Sequence, residues 1–305
     1  MEFIQEAVTL SRSVGEPRQL AHALDELAYQ TLVSLGQWET GARLMEEAGD
    51  NFRAAGDPGQ EGLAKLHLGA MLGWTGRFVN AVELLGRAQL LLRQFGSRFH
   101  FAYCTLGLGV CQMHLGEYEQ AERTLRAALE AARQDDFSRE TAASLEMLGC
   151  VALARGQPTQ AQAALQESVE RYRLQNAAGE LGMALGGLAL AELALGRRGP
   201  ANVALQEALC IAVEAHSHFT SMTSWAASVA LLADAGRWER ALEAYAAGQG
   251  VPLLANSRWQ AEMVAPWVAA AAAHLPPEAV EAARQRGRGR DLFAIEAELA
   301  QEIRL

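Results

Sequence analysis

Lysine is almost missing from this sequence: Lys65 stands alone against 25 arginines. With no G-K-[ST] anywhere, the chain cannot carry the usual P-loop, whose lysine reaches the β- and γ-phosphates. No stretch approaches the roughly 18–20 uninterrupted apolar residues that a membrane-spanning helix needs. The opening Met1-Glu2-Phe3-Ile4-Gln5-Glu6 lacks the basic flank and apolar block of an export signal. Cysteine is scarce: Cys104, Cys111, Cys150 and Cys210 include no C-x-x-C pair, which removes the zinc knuckle and the dithiol redox motif. Seven residues along one helix separate Cys104 from Cys111 by about 10 Å, too far for a disulfide. Buried apolar thiols in a reducing cytoplasm are expected instead. Positive charge is also short, 26 Lys+Arg against 36 Asp+Glu, and the formal charge of −10 argues against a protein built to grip nucleic acid. Neither H-E-x-x-H nor G-x-S-x-G occurs.

What the sequence has is apolar material, half of its 305 residues. That length suits two globular domains or one long repetitive one. Self-similarity decides between them. Glycines stand at Gly36, Gly76, Gly116, Gly156, Gly196 and Gly236, a constant interval of forty. Two residues later come Trp38, Phe78, Tyr118, Pro158, Arg198 and Trp238; five later, Gly41, Ala81, Ala121, Ala161, Ala201 and Ala241. Nine later come Met45, Leu85, Leu125, Leu165, Leu205 and Tyr245; twelve later, Ala48, Ala88, Ala128, Ser168, Ala208 and Gly248. Offsets of five, nine and twelve share one face of an α-helix. Small columns there admit a neighbouring helix closely, and the large column interlocks with it. Ahead of each landmark lies a second amphipathic segment, such as 63–74 or 141–155. Within it Gly69, Gly109, Gly149 and Ala189 recur. A mid-helix glycine costs about 1 kcal/mol against alanine, so its recurrence predicts close helix–helix approach. Each unit therefore reads as helix A, a tight turn at the landmark glycine, and helix B.

Twenty residues past each landmark come Gly56, Gly96, Asp136, Asn176 and His216, residue types that tolerate the left-handed backbone of a helix end. Three residues before four of these positions stand Arg53, Arg93, Arg133 and Arg173. A cation in the last turn complements the helix terminus; an anion-binding arginine ladder is the alternative.

The columns resemble the tetratricopeptide repeat, as in Gly116-Glu117-Tyr118 followed by Ala121, Leu125 and Ala128. The forty-residue period departs from the usual thirty-four. It is similar to the longer variant in the C-terminal sensor regions of bacterial signal-transduction ATPases and of LuxR-type or SARP-type transcriptional activators. The resemblance implies an all-α, right-handed superhelical solenoid of antiparallel helix pairs. It also implies a cytoplasmic protein that binds a protein or peptide partner in its concave groove.

Three segments are expected. Residues 1–15 form an incomplete repeat, helix B only, because Ala7, Arg12 and Gly15 align with Ala48, Arg53 and Gly56 after a one-residue drop. Residues 16–250 hold six repeats. Residues 251–305 form a degenerate repeat, with helices at 257–274 and 277–286, and a capping helix at about 291–303. The missing first helix A suggests that the chain is the C-terminal portion of a longer protein. The segment from Ala283 to Glu296 resembles a short element at the C-terminus of those regulators.

In the family, helix A lines the groove. Projecting its groove columns selects Glu26, Leu66, His67, Trp74, Tyr103, Leu106, Met113, His114, Glu146, Met147 and Met183. This set is apolar, Met-bearing and lacks the Lys and Arg of carboxylate-clamp relatives, which favours an apolar peptide, an amphipathic helix or a small ligand. The run Arg284–Arg290 is the one basic patch, read as a solvated turn, so direct nucleic-acid binding is not expected. His216-Ser217-His218 invites a metal reading but lies in the turn column, with no carboxylate at ligand spacing. The expectation is a non-catalytic binding module without cofactor or metal, serving as the sensor or regulatory arm of a larger signalling ATPase or transcription regulator. An upstream nucleotide-binding module in the same polypeptide would then be its second partner. A free-standing scaffold is the alternative; a small-ligand sensor or an enzyme ranks below both.

Overall fold

The computed structural model describes residues 2–35, 38–216 and 220–302. Among these residues there are seventeen helices and no strand. A lone α1 (Glu2–Val14) precedes the hairpins α2 (Pro17–Leu35) with α3 (Trp38–Ala54) and α4 (Pro58–Trp74) with α5 (Phe78–Phe95), followed in sequence by α6 (Arg98–His114) and α7 (Tyr118–Gln134). The series continues through α8 (Ser138–Ala154) with α9 (Pro158–Gln175), α10 (Ala178–Ala194) with α11 (Arg198–Ala215), and α12 (Ser221–Asp234) with α13 (Trp238–Gly248). A single turn, α14 (Pro252–Ala255), leads to α15 (Arg258–Ala273), α16 (Pro277–Gly287) and α17 (Leu292–Glu302). By their internal contacts, residues 1–111 and 112–305 form two compact units.

The landmark glycines are helix ends. Gly76, Gly116, Gly156, Gly196 and Gly236 hold φ between +67° and +79°; Gly36 lies outside the described residues. At each, two bonds recur: the Gly76 amide donates to the Gly73 carbonyl at 3.0 Å, and the Arg77 amide to that of Leu72 at 2.8 Å. This paired bonding satisfies the last carbonyls of helix A and requires a left-handed residue. The second turn follows the same logic at Gly56, Asp136, Asn176 and His216, all at positive φ. Gly96 departs from that expectation, with φ −91° and an extended backbone. Its glycine answers a steric need instead, since a Cβ there would lie 2.7 Å from Leu92 Cδ2 and 2.8 Å from the Leu92 carbonyl oxygen.

The large column explains how hairpins lock. Leu85 and Leu165 are fully buried on α5 and α9. A Cβ on Gly69 would come within 2.7 Å of Leu85 Cγ, and one on Gly149 within 2.6 Å of Leu165 Cγ. The following helix A adds a second glycine against the same leucine, Gly107 beside Leu85 and Gly187 beside Leu165. Each leucine thus sits in a hole floored by glycine on two helices, where shape complementarity contributes through dispersion contacts.

At the C-terminal end, α15 packs on α12 and α13 and reaches back to α8, while α16 lies on α13 and α17 on α11 and α13. Helix B of the sixth pair ends at Gly248. Pro266 sits inside α15.

Candidate functional site

Helix A of every hairpin presents one face away from its helix B, and the two units treat that face differently. In residues 112–305 the chain covers its own face. Trp259 of α15 is wholly buried, and its indole N–H donates to the Cys150 carbonyl of α8 at 2.8 Å. The Gln260 amide nitrogen donates to the Met222 carbonyl of α12 at 2.6 Å. Ser257 caps α15 by accepting from the Gln260 amide, and its Oγ lies 2.7 Å from His114 Nδ1. The Tyr118 hydroxyl donates to Glu262 at 2.5 Å. Three of these ties, Trp259 to Cys150, Ser257 to His114 and Tyr118 to Glu262, join residues more than 100 positions apart, a closure that no forty-residue periodicity encodes.

Five of the eleven residues selected by the groove columns fall in this unit: Met113, His114, Glu146, Met147 and Met183 are all buried. Burial pushes the His114 imidazole down to about 3, so it is neutral at physiological pH. Burial also drives the Glu146 carboxyl well above the ordinary carboxylate range; the Tyr172 hydroxyl donates to it at 3.3 Å and lowers it only in part. In this conformation none of the five meets solvent.

In residues 1–111 the corresponding face of α2, α4 and α6 is open. Glu26 is exposed, Trp74 is 47% exposed, and His67 and Tyr103 are half-buried. Leu66 and Leu106 turn into the core instead. The structure adds residues that the columns did not select. Phe99 stacks parallel to Tyr103 with centroids 6.2 Å apart, Asp25 Oδ1 lies 3.8 Å from His67 Nδ1, and Tyr29 is exposed. His100 is held below its usual pKa, first by burial and then by repulsion from the nearby His67. Trp74, Phe99 and Tyr29 are each more than a third exposed, so α2, α4 and α6 offer aromatic surface to water.

Three of the four arginines in the Arg284–Arg290 run have internal partners, whereas the Arg284 Nε is buried without a hydrogen-bond partner. Arg286 pairs with Glu239 at 2.6 Å, Arg288 with Glu281 at 2.9 Å, and Arg290 with Glu243 and Glu298 at 2.6 and 2.5 Å. His216 caps α11 in left-handed conformation, its ring 5.0 Å from that of Phe293; His218 lies outside the described residues. No cluster of three or more His, Cys, Asp or Glu suited to a metal occurs among the described residues. Burial raises Cys104 and Cys111 to about 12, and raises Cys150 well above the usual thiol range with help from Glu146. Such thiols stay protonated and are poor nucleophiles.

A tetratricopeptide-repeat profile matches residues 101–173, and a profile described as anaphase-promoting complex subunit 5 matches residues 146–234. A Rap protein complexed with competence and sporulation factor superposes with a TM-score of 0.69 at 14% identity, over 94% of this chain and 76% of that one. The fold is a tetratricopeptide-like solenoid. Aspartyl phosphate phosphatase F from Bacillus subtilis shares the solenoid with a TM-score of 0.67 at 14% identity, over 91% and 75% of the two chains. The Rap conjugation gene regulator of plasmid pLS20, in complex with the Phr* peptide, gives 0.54 at 13%, over 88% and 74%. No curated protein matches the solenoid by sequence. No described helix is long and apolar enough to cross a membrane.

Proposed function

We propose that the chain is a non-catalytic module that binds a protein or peptide on the helix-A face of α2, α4 and α6. The observation that carries this reading is the contrast between the two units. The helix-A face of residues 112–305 is filled by α15, whereas that of residues 1–111 presents Trp74, Tyr103, Phe99 and His67 to solvent. Two structural neighbours are complexes whose ligands are named as a sporulation factor and a peptide, which favours the same use here. Buried, protonated thiols and a neutral, enclosed His114 speak against nucleophilic chemistry.

The finer reading places this module in the cytoplasm as the sensor or regulatory arm of a larger signalling ATPase or transcription regulator. Its parts are a half-repeat at 1–15, six repeats at 16–250 and a degenerate, capped repeat at 251–305. It rests on the resemblance of the forty-residue columns to such sensor regions; an upstream reading frame that encodes no nucleotide-binding module would remove it. The binding face itself is tested by affinity capture with the purified chain. Protein recovered by the wild type is expected to be lost with the double variant Trp74→Ala, Tyr103→Ala. Equal recovery by both would overturn the placement.

A further inference from the structure

The helix-B side of residues 1–111 carries a second cavity that the binding face above does not use. Successive B helices are tied at three seams by an arginine near the end of one helix and a glutamate on the next. Arg12 meets Glu47 at 2.7 Å between α1 and α3, Arg133 meets Glu167 at 3.6 Å between α7 and α9, and Arg173 meets Glu207 at 2.6 Å between α9 and α11. The partners stand 34 or 35 positions apart. The α3–α5 seam breaks the rule. Arg53 holds the arginine position, but 34 residues on stands Arg87, a second cation where those three seams have a carboxylate; Arg93 of α5 has the neutral Ala127 at the same spacing.

Arg53 and Arg87 both line a cavity of about 790 Å³ whose floor includes Leu68 and Lys65, the only lysine in the chain. Room exists there because α3 carries Ala42 and Gly49 where α7 carries Glu122 and Leu129. In the α7–α9 seam Glu122 pairs with Arg155, and the corresponding space is divided into a cavity of about 110 Å³ beside Glu122 and one of about 330 Å³ beside Leu129 and Arg133. The three cations now lean on local acids: Arg53 on Asp50 at 3.1 Å and Glu61 at 2.9 Å, Lys65 on Glu61 at 3.3 Å, and Arg87 on Glu83 at 2.8 Å. The Arg87–Glu83 pair is exposed on both sides, and such a pair contributes only about 0.3–0.5 kcal/mol. It yields readily to a better-placed carboxylate. Glu39, Glu46, Asp50 and Glu83 also line the cavity, against the five cations Arg43, Arg53, Lys65, Arg77 and Arg87, and this narrow positive margin suits a monoanion better than a dianion.

We propose that this slot receives an acidic side chain of a partner polypeptide, whose carboxylate takes the place of the missing ladder glutamate between Arg53, Lys65 and Arg87 while a neighbouring aliphatic residue covers Leu68. Charge-assisted bonds to several donors provide the affinity, and the apolar floor selects the flanking residue.

The single lysine makes the test direct. Reductive methylation with carbon-13 formaldehyde keeps the positive charge and gives one side-chain methyl signal, from Lys65, beside that of the terminal amine. Two probes are titrated into the full chain, acetyl-Leu-Glu-Leu-amide and its isostere acetyl-Leu-Gln-Leu-amide. The Lys65 signal is expected to move with the glutamate peptide, and the glutamine peptide to bind at least about tenfold more weakly, as loss of a charged hydrogen bond implies. Arg87→Glu, which restores the ladder carboxylate at an exposed position, should abolish the response while leaving the melting temperature unchanged or raised. Equal shifts from both peptides, no shift from either, or an undiminished response in Arg87→Glu would overturn the proposal. Inorganic phosphate moving the signal as strongly as the glutamate peptide would overturn the assignment to a carboxylate.

Discussion

Single positions carry the repeat in two separable ways, through backbone conformation and through volume. Asp136, Asn176 and His216 hold φ of 54°, 53° and 47° where Gly56 serves in an earlier copy. Side chains tolerant of left-handed backbone were therefore a reliable marker of helix ends. Gly96 shows the limit of that marker, because glycine also appears where a Cβ would strike Leu92; composition alone cannot separate the two causes. Volume is testable at Gly149, whose missing Cβ makes room for Leu165. Gly149→Val is expected to lower stability by about 1–3 kcal/mol or more through overpacking, read as a fall in the urea midpoint. Glu119→Gln, on the exposed side of α7, should change it by less than about 0.5 kcal/mol. Equal effects from the two would mean that Gly149 is not a contact position.

Among the elements, α15 does what its sequence did not announce. Helical period and the N-cap Ser257 mark it as a helix, and its bounds of Arg258–Ala273 fall within the expected 257–274. Its docking onto α8 and α12 depends on Trp259 and Gln260 meeting carbonyls 109 and 38 positions away, information that no local pattern contains. His114 is tied down by the same helix end, through Ser257, whereas Glu146 is buried against Tyr172 of its own hairpin. Trp259→Ala is expected to cost about 3–5 kcal/mol in chemical unfolding, since it removes a fully buried indole and its hydrogen bond. A loss under 1 kcal/mol would show that α15 does not occupy this face.

The last helix, α17, carries a pH-dependent tie. Glu296 is buried, and burial raises its carboxyl to about 7 against the opposing pull of the Ser221 and Ser224 hydroxyls, which donate to it at 2.7 and 2.9 Å. A native pKa above the unfolded value means that the folded chain holds the extra proton. The stability this gives is complete below about pH 4.5 and lost as pH rises through 7, by about 3 kcal/mol in all. Glu296→Gln removes that slope. Compared with wild type, the variant should gain stability between pH 5 and pH 8 in urea titrations; parallel curves would refute the assignment.

Across the whole chain, the fold class was open to reading because each repeat restates it: six glycines at one interval identify the hairpin, and the family resemblance follows from the columns around them. The face that remains available was less accessible. Helical projection selects the side of helix A but not which copies are covered. Glu26, His67, Trp74 and Tyr103 remain at the surface, whereas Met113, His114, Glu146, Met147 and Met183 do not. Hydroxyl-radical footprinting of the isolated chain, with and without its captured partner, addresses that distinction in one experiment. Trp74 and Tyr103 should be oxidised in the free chain and protected when the partner is bound, while Trp225 and Trp259 stay unmodified in both states. Oxidation of Trp259 in the free chain, or a partner that leaves Trp74 unprotected, would contradict the division between a closed face and an open one.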